Sequence, residues 1–140
     1  MKMLLIKIGK AWSVIRRDGV VRGGRRVLEA FTALFASVEP GDILFISGGV
    51  GDSARYRTTH VAEELRLRGF RTSVTVQDNP RLVSYADQFQ IFVMHRVLMT
   101  PAVARLMAQI KEQGKTILFE TDDLVYDPSF LVHMDYWHQM

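Results

Sequence analysis

The chain has no cysteine. That absence excludes a disulfide framework, a thiolate metal site and a cysteine nucleophile, and it fits a reducing, cytoplasmic setting. Only four prolines occur, at 40, 80, 101 and 128, and each punctuates the chain between periodic segments. No apolar stretch approaches the about 18 residues of a spanning helix. Acids are scarce at the start: residues 1–26 hold Asp18 against eight lysines and arginines, a net +7, while residues 27–140 carry a net −4. So lopsided a segment points to an anionic partner. The expected partner is a membrane surface, approached peripherally at its cytoplasmic face; no nucleic acid is expected. Met1 to Ile8 resembles a signal peptide, but Lys7 and Lys10 interrupt it and no small-residue cleavage site follows. The segment is expected to be retained.

What is present is ordinary for a single globular domain: 140 residues, 48% hydrophobic and 24% charged. A chain of this length buries about two-thirds of its unfolded surface and needs no metal staple. Residues 2–17 carry Leu4, Leu5, Ile8, Trp12 and Ile15 at helical spacing. After Asp18-Gly19 a second helical pattern runs from about Arg22 to Ser37, and Glu39-Pro40-Gly41-Asp42 breaks it. Residues 1–40 are therefore read as a basic amphipathic arm. It can lie on anionic lipid or pack its apolar face on the domain that follows.

From residue 41 the rhythm changes. Ile43 to Ile46 is a short continuous apolar run, as expected of a parallel strand buried on both faces. A glycine loop and a helix over about Ala54–Arg68 follow, then a strand over Phe70–Val76. Leu82–Ala86 predicts one short helical stretch, and Ile91–Met94 a third strand. Thr100-Pro101 opens a helix, with Thr as cap and Pro in the first turn. Gln113-Gly114 ends it, and Thr116–Phe119 is the fourth strand. Alternation of this kind predicts a Rossmann-like three-layer α/β domain with a four-stranded parallel sheet over residues 41–128. The connection between the second and third strands is short of helix, which favours the order 2-1-3-4 over 3-2-1-4. Residues 129–140, with Phe130, Leu131, Tyr136 and Trp137, read as the start of a further helix that continues beyond Met140.

In an open α/β sheet, ligands bind beyond the carboxyl ends of the strands, where the strand order reverses. All four ends are polar here: Ser47 to Ser53, Gln77-Asp78, His95-Arg96 and Glu120-Thr121-Asp122-Asp123. The loop Gly49-x-Gly51-x-x-Ala54 follows a strand and opens a helix, the setting in which a phosphate meets a helix N-terminus. Ser53 is placed as the cap, with Arg55 and Arg57 able to bind an anion. The same residues also serve a plain tight turn. Asp78 lies near the distance at which an acid meets a dinucleotide ribose, or it makes an Asx turn before Asn79-Pro80. His95 is either a donor to a sugar or phosphate or a satisfied edge histidine. Glu120, Asp122, Asp123 and Asp127 can bind sugar hydroxyls, act as a base or hold a hard cation, or merely cap turns.

Ile46-Ser47-Gly48-Gly49 through Arg55-Tyr56-Arg57, the helix end Ala62-Glu63-Glu64-Leu65-Arg66-x-x-Gly69, Met94-His95-Arg96-Val97, and above all Phe119-Glu120-Thr121-Asp122-Asp123-Leu124-x-x-Asp127-Pro128 resemble the N-terminal half of a family 4-like glycosyltransferase. The resemblance covers residues 42–128. It implies a GT-B enzyme of two Rossmann-like domains across a cleft, serving polysaccharide biosynthesis, in which this half binds the acceptor. The donor-binding C-terminal half, with its E-x-x-x-x-x-x-x-E signature, is absent from these residues, so little or no transfer is expected from them alone. Carried over, Gly48, Gly49 and Gly51, with Ser53 and Arg55, would face the donor phosphates. His95, Arg96, Glu120, Asp122 and Asp123 would face the sugars. The resemblance implies metal-independent transfer with no cofactor beyond the nucleotide-sugar donor. Whether Asp122, Asp123 or His95 takes the acceptor proton stays open. Set beside this are a nucleotide- or dinucleotide-binding Rossmann module using Asp78, and a non-enzymatic membrane- or partner-docking module.

Overall fold

The computed structural model describes residues 38–121 without interruption, together with residues 12, 16, 19–25, 27, 28, 31, 32, 34 and 35. Helix is assigned at every one of those earlier positions, and Gly19 has φ 80° at the expected Asp18-Gly19 break. The expected Asp122–Asp123 pair, Asp127-Pro128 and the segment 129–140 lie outside the described residues.

Four strands, β1 (Ile43–Ser47), β2 (Thr72–Val76), β3 (Ile91–His95) and β4 (Thr116–Glu120), form one parallel sheet in the order β2-β1-β3-β4. The 2-1-3-4 order expected from the short second connection is the one adopted. All five β1 residues are buried, which is why that strand reads as unbroken apolar sequence. Between β1 and β2 runs an unbroken helical stretch: α1 (Asp52–Ala54), a π-helical segment (Arg55–Thr59) and α2 (His60–Leu67). A 3₁₀ segment (Leu82–Asp87) joins β2 to β3, and α3 (Pro101–Glu112) joins β3 to β4. The Thr100 hydroxyl accepts from the Val103 N–H and Pro101 opens α3, as its sequence predicts.

The alternation of each strand sorts its side chains into two cores. Leu44, Ile46, Phe92 and Met94 meet Leu82, Tyr85 and Phe89 from the 3₁₀ side, and Val103, Leu106 and Ile110 from α3. On the opposite face Ile43 and Phe45 meet Ala62 of α2, with Leu65, Val74, Ile91 and Val93 around them. Helical cover is therefore present on both faces but is thinnest over β4, where Leu118 is 51% and Phe119 66% exposed. At the amino end of the sheet, Asp42 accepts from the Arg71 side chain and backbone N–H, both at 2.8 Å. Those bonds hold the Asp42 carboxyl below its ordinary value and tie β1 to the start of β2.

Candidate functional site

The register decides which strand ends meet. Ser47 pairs with Val76 on one side and with His95 on the other, and His95 pairs with Glu120. Strands of equal length in this register finish on one line. The polar residues that follow them therefore share one rim.

The glycine turn divides into two kinds of position. Gly48 is pressed onto the next strand: its N–H donates to the His95 carbonyl at 2.9 Å, and a Cβ there would stand 2.0 Å from the Arg96 carbonyl oxygen. In its observed contacts Gly48 has a packing place. Gly49 and Gly51 face open space, and Gly51 has φ 147°, a conformation that L side chains rarely adopt. The Ser47 hydroxyl closes the turn by donating to the Gly49 carbonyl at 2.6 Å. A cavity of about 370 Å³ opens beside the turn and above the end of β2, with Gly49, Gly51, Asp52, Arg55 and Thr59 on its walls. Among the described residues Arg55 is its one cationic wall residue.

Ser53 does not cap the helix. Gly51 takes the cap position, no side chain caps it, and Ser53 is the second helical residue. Its hydroxyl lies 3.2 Å from Nε2 of His95. The other ring nitrogen, Nδ1, meets Oε2 of Glu120 in a short contact. An ionised carboxylate can only accept, so Nδ1 carries a hydrogen; in the neutral imidazole Nε2 is then the acceptor that faces the Ser53 hydroxyl. Glu120 Oε1 lies 3.1 Å from Nη1 of Arg57 but makes no hydrogen bond of good geometry. His95 is only 2% exposed, whereas Ser53 is half-buried. Ser53, His95, Glu120 and Arg57 thus form one chain of contacts, closed to solvent at His95, half-buried at Ser53 and exposed at Arg57.

Magnitudes separate the links. The Arg57–Glu120 pair, half exposed on the arginine side and without hydrogen-bond geometry, is worth at most about 1 kcal/mol. A hydrogen bond between a sheltered imidazole and a carboxylate contributes about 1.5–3 kcal/mol. The histidine is held by the second of these, and Arg57 chiefly orients the carboxylate.

Local backbone irregularity surrounds the same residues. The helix widens to π geometry directly after Ser53 and Ala54, leaving Arg55, Tyr56 and Arg57 exposed while Thr58 turns inward. Such segments are frequent at functional sites. Arg96, directly after His95, has φ 50°, the only non-glycine positive φ among the described residues. Arginine at that φ is uncommon and strained. The exposed Arg96 is held there by its N–H to the Glu120 carbonyl at 3.1 Å and by the Gly48 contact.

The sequence-assigned residues Gly48, Gly49, Gly51, Ser53, Arg55, His95, Arg96 and Glu120 all come to this rim. At the end of β2 Asn79 makes a side-chain turn, accepting from the Arg81 N–H at 2.9 Å. Two contributions were not legible: the reach of Arg57 to β4, and the buried Gln77, whose amide oxygen accepts from the Leu98 N–H at 2.7 Å. The His95–Glu120 meeting did carry a signal. Both end neighbouring strands in the 2-1-3-4 order.

Among the described residues no cluster of three or more His, Asp or Glu could hold a metal ion, and no helix is long and apolar enough to cross a membrane. No protein-family model matches the chain, and neither a curated protein nor a solved structure matches it significantly.

Proposed function

We propose that this chain is the acceptor-side domain of a glycosyltransferase, passing a sugar from a nucleotide-sugar donor to a glycan or lipid-linked acceptor in concert with a separate donor-binding domain. One observation carries the reading. At the carboxyl rim an open glycine turn and Arg55 border a cavity of about 370 Å³, and the Ser53–His95–Glu120 chain stands beside them. The Gly49 and Gly51 backbone and the Arg55 guanidinium suit the oxygens of a diphosphate leaving group, whose growing charge they would stabilise. Ser53 and Asp52 suit sugar hydroxyls. The quoted motifs of residues 42–128 resemble family 4-like glycosyltransferases at these same positions. Asp122 and Asp123 belong to the proposal through that resemblance alone.

The test is an NMR titration of the chain with nucleoside-diphosphate sugars and, separately, with NAD. The sugars should move the amides of Gly49 to Arg55 at millimolar levels, and Arg55→Ala should weaken the effect ~10-fold or more, as expected for one charge-assisted hydrogen bond. Saturable micromolar binding of NAD that disappears in Asp78→Ala would replace this reading with a dinucleotide module. Unmoved amides with every nucleotide sugar would remove it.

The second part of the proposal is peripheral docking of residues 1–26 on anionic lipid. It is supported by exposed apolar side chains, Trp12 at 69%, Val20 and Val21, interleaved with the exposed Arg16, Arg22 and Arg25. Co-sedimentation with phosphatidylserine vesicles should be strong for the whole chain, fall at least ~10-fold without residues 1–26, and weaken with salt. Equal sedimentation of both forms ends this part of the reading.

A further inference from the structure

We infer that Ser53 is an acyl-accepting nucleophile, with His95 as its general base and Glu120 as the residue that positions the base. This activity goes beyond sugar transfer and stands or falls independently of it. The recognition pattern for an activated nucleophile is a hydroxyl within hydrogen-bond reach of a base that a third group orients in turn. Here the hydroxyl-to-imidazole distance is 3.2 Å, and Glu120 meets the far ring nitrogen. Ser53 follows a strand and a glycine turn and opens a helix, a setting that lifts a serine oxygen above the sheet.

The local alternatives available to Ser53 sharpen the point. A serine at a helix start ordinarily caps a backbone N–H. Thr58, one turn later, bonds a carbonyl of its own helix, that of Ala54. Ser53 reaches an imidazole 42 positions away in sequence. Irregular backbone flanks both partners, a π segment after Ala54 and the positive φ of Arg96 after His95.

The substrate class is an activated carboxylic ester with a small acyl group, because Ser53 is half-buried and His95 is closed to solvent. The Ser53 oxygen bonds to the carbonyl carbon as its proton passes to Nε2 of His95, and the carbonyl electron pair moves onto oxygen. That pair returns, the bond to the alkoxy group breaks, and the departing alcohol takes the proton from Nε2. Water then repeats the sequence on the acyl-serine: its proton goes to Nε2, its oxygen bonds to the carbonyl carbon, and Ser53 leaves with the proton. The sum is ester plus water giving acid plus alcohol. Glu120 keeps the hydrogen on Nδ1 throughout and does not touch the substrate.

The experiment treats the whole chain with p-nitrophenyl acetate and with a fluorophosphonate, and maps adducts by peptide mass spectrometry. Both reagents are expected on Ser53. Ser53→Ala should lower p-nitrophenol release ~100-fold or more, the range of general-base catalysis. Glu120→Gln should slow acylation ~10-fold or more at unchanged KM and alter its pH profile, a change that a merely structural Glu120 would not produce. Because adducts are mapped on the unsubstituted protein, the result does not depend on a variant folding. Adducts scattered over lysines with none on Ser53, or equal release by the wild type and Ser53→Ala, overturn the inference.

Discussion

Gly48→Ala is expected to lower the stability of the domain by ~3 kcal/mol, the upper end of ordinary overpacking costs. An added Cβ would stand 2.0 Å from the Arg96 carbonyl oxygen and 2.8 Å from its carbonyl carbon. Both are backbone atoms, so no side-chain rotation relieves the clash. The turn or the end of β3 must move, and the Gly48 N–H bond to the His95 carbonyl, 2.9 Å long, goes with it. Gly49→Ala, with nothing within 4 Å of the added carbon, is the matched control and should change stability by less than ~0.5 kcal/mol. Urea unfolding followed by far-UV circular dichroism measures both. Equal midpoints for the two variants would mean that the turn and β3 are not in contact. The same displacement should separate Ser53 from His95, so Gly48→Ala should also reduce labelling of Ser53 more than its loss of folded protein accounts for.

Phe92→Ala is expected to cost about 3–5 kcal/mol, a large part of the roughly 5–15 kcal/mol that holds a domain of this size together. Phe92 lies on β3, fully closed to solvent, with its ring edge-to-face with Phe89 at 6.2 Å between centroids. Truncation removes buried apolar surface and leaves a cavity bounded by β-sheet on one side and the 3₁₀ segment on the other, which limits collapse. Phe92→Leu fills most of that space and should lose about half as much or less. A thermal melt that places Phe92→Ala within 2 °C of the wild type would contradict the packing described for this core.

Much of this fold is legible in the sequence because parallel strands and amphipathic helices leave periodic marks. Ile43–Ile46 is apolar because neighbours cover both its faces, and Thr100-Pro101 announces α3 by the chemistry of its own cap. Phe70 and Arg71 were read into β2 for the same reason of composition, yet the strand begins at Thr72. The Arg71 backbone N–H and guanidinium donate to the Asp42 carboxylate and tie these residues to the chain entering β1. The helix after the glycine loop begins two residues earlier than its apolar pattern, at Asp52, since its first turn lies at the rim and has no core to face.

The rim itself was legible as a place and not as a mechanism. Polar residues after each apolar strand mark the carboxyl edge, and the glycine loop marks the approach. Ser53 was misread as a helix cap because capping is the commonest local use of serine, and local use is all that neighbouring residues reveal. Its partner comes from the far side of a strand crossover. Arg57 reaches Glu120 because the helix is widened at the π segment, a feature for which composition has no clear signature.

The sequence by itself determined the strand and helix segments, the 2-1-3-4 preference, the polar carboxyl edge and the basic character of residues 1–26, because periodicity, turn chemistry and charge are local properties. Only the tertiary structure decided that Gly48 packs against Arg96 while Gly49 and Gly51 stay open, and that Ser53, His95, Glu120 and Arg57 join in one chain of contacts. Those outcomes depend on the register between β1, β3 and β4. Register is set by how two cores fill on opposite faces of the sheet, and no single stretch of residues encodes that fit.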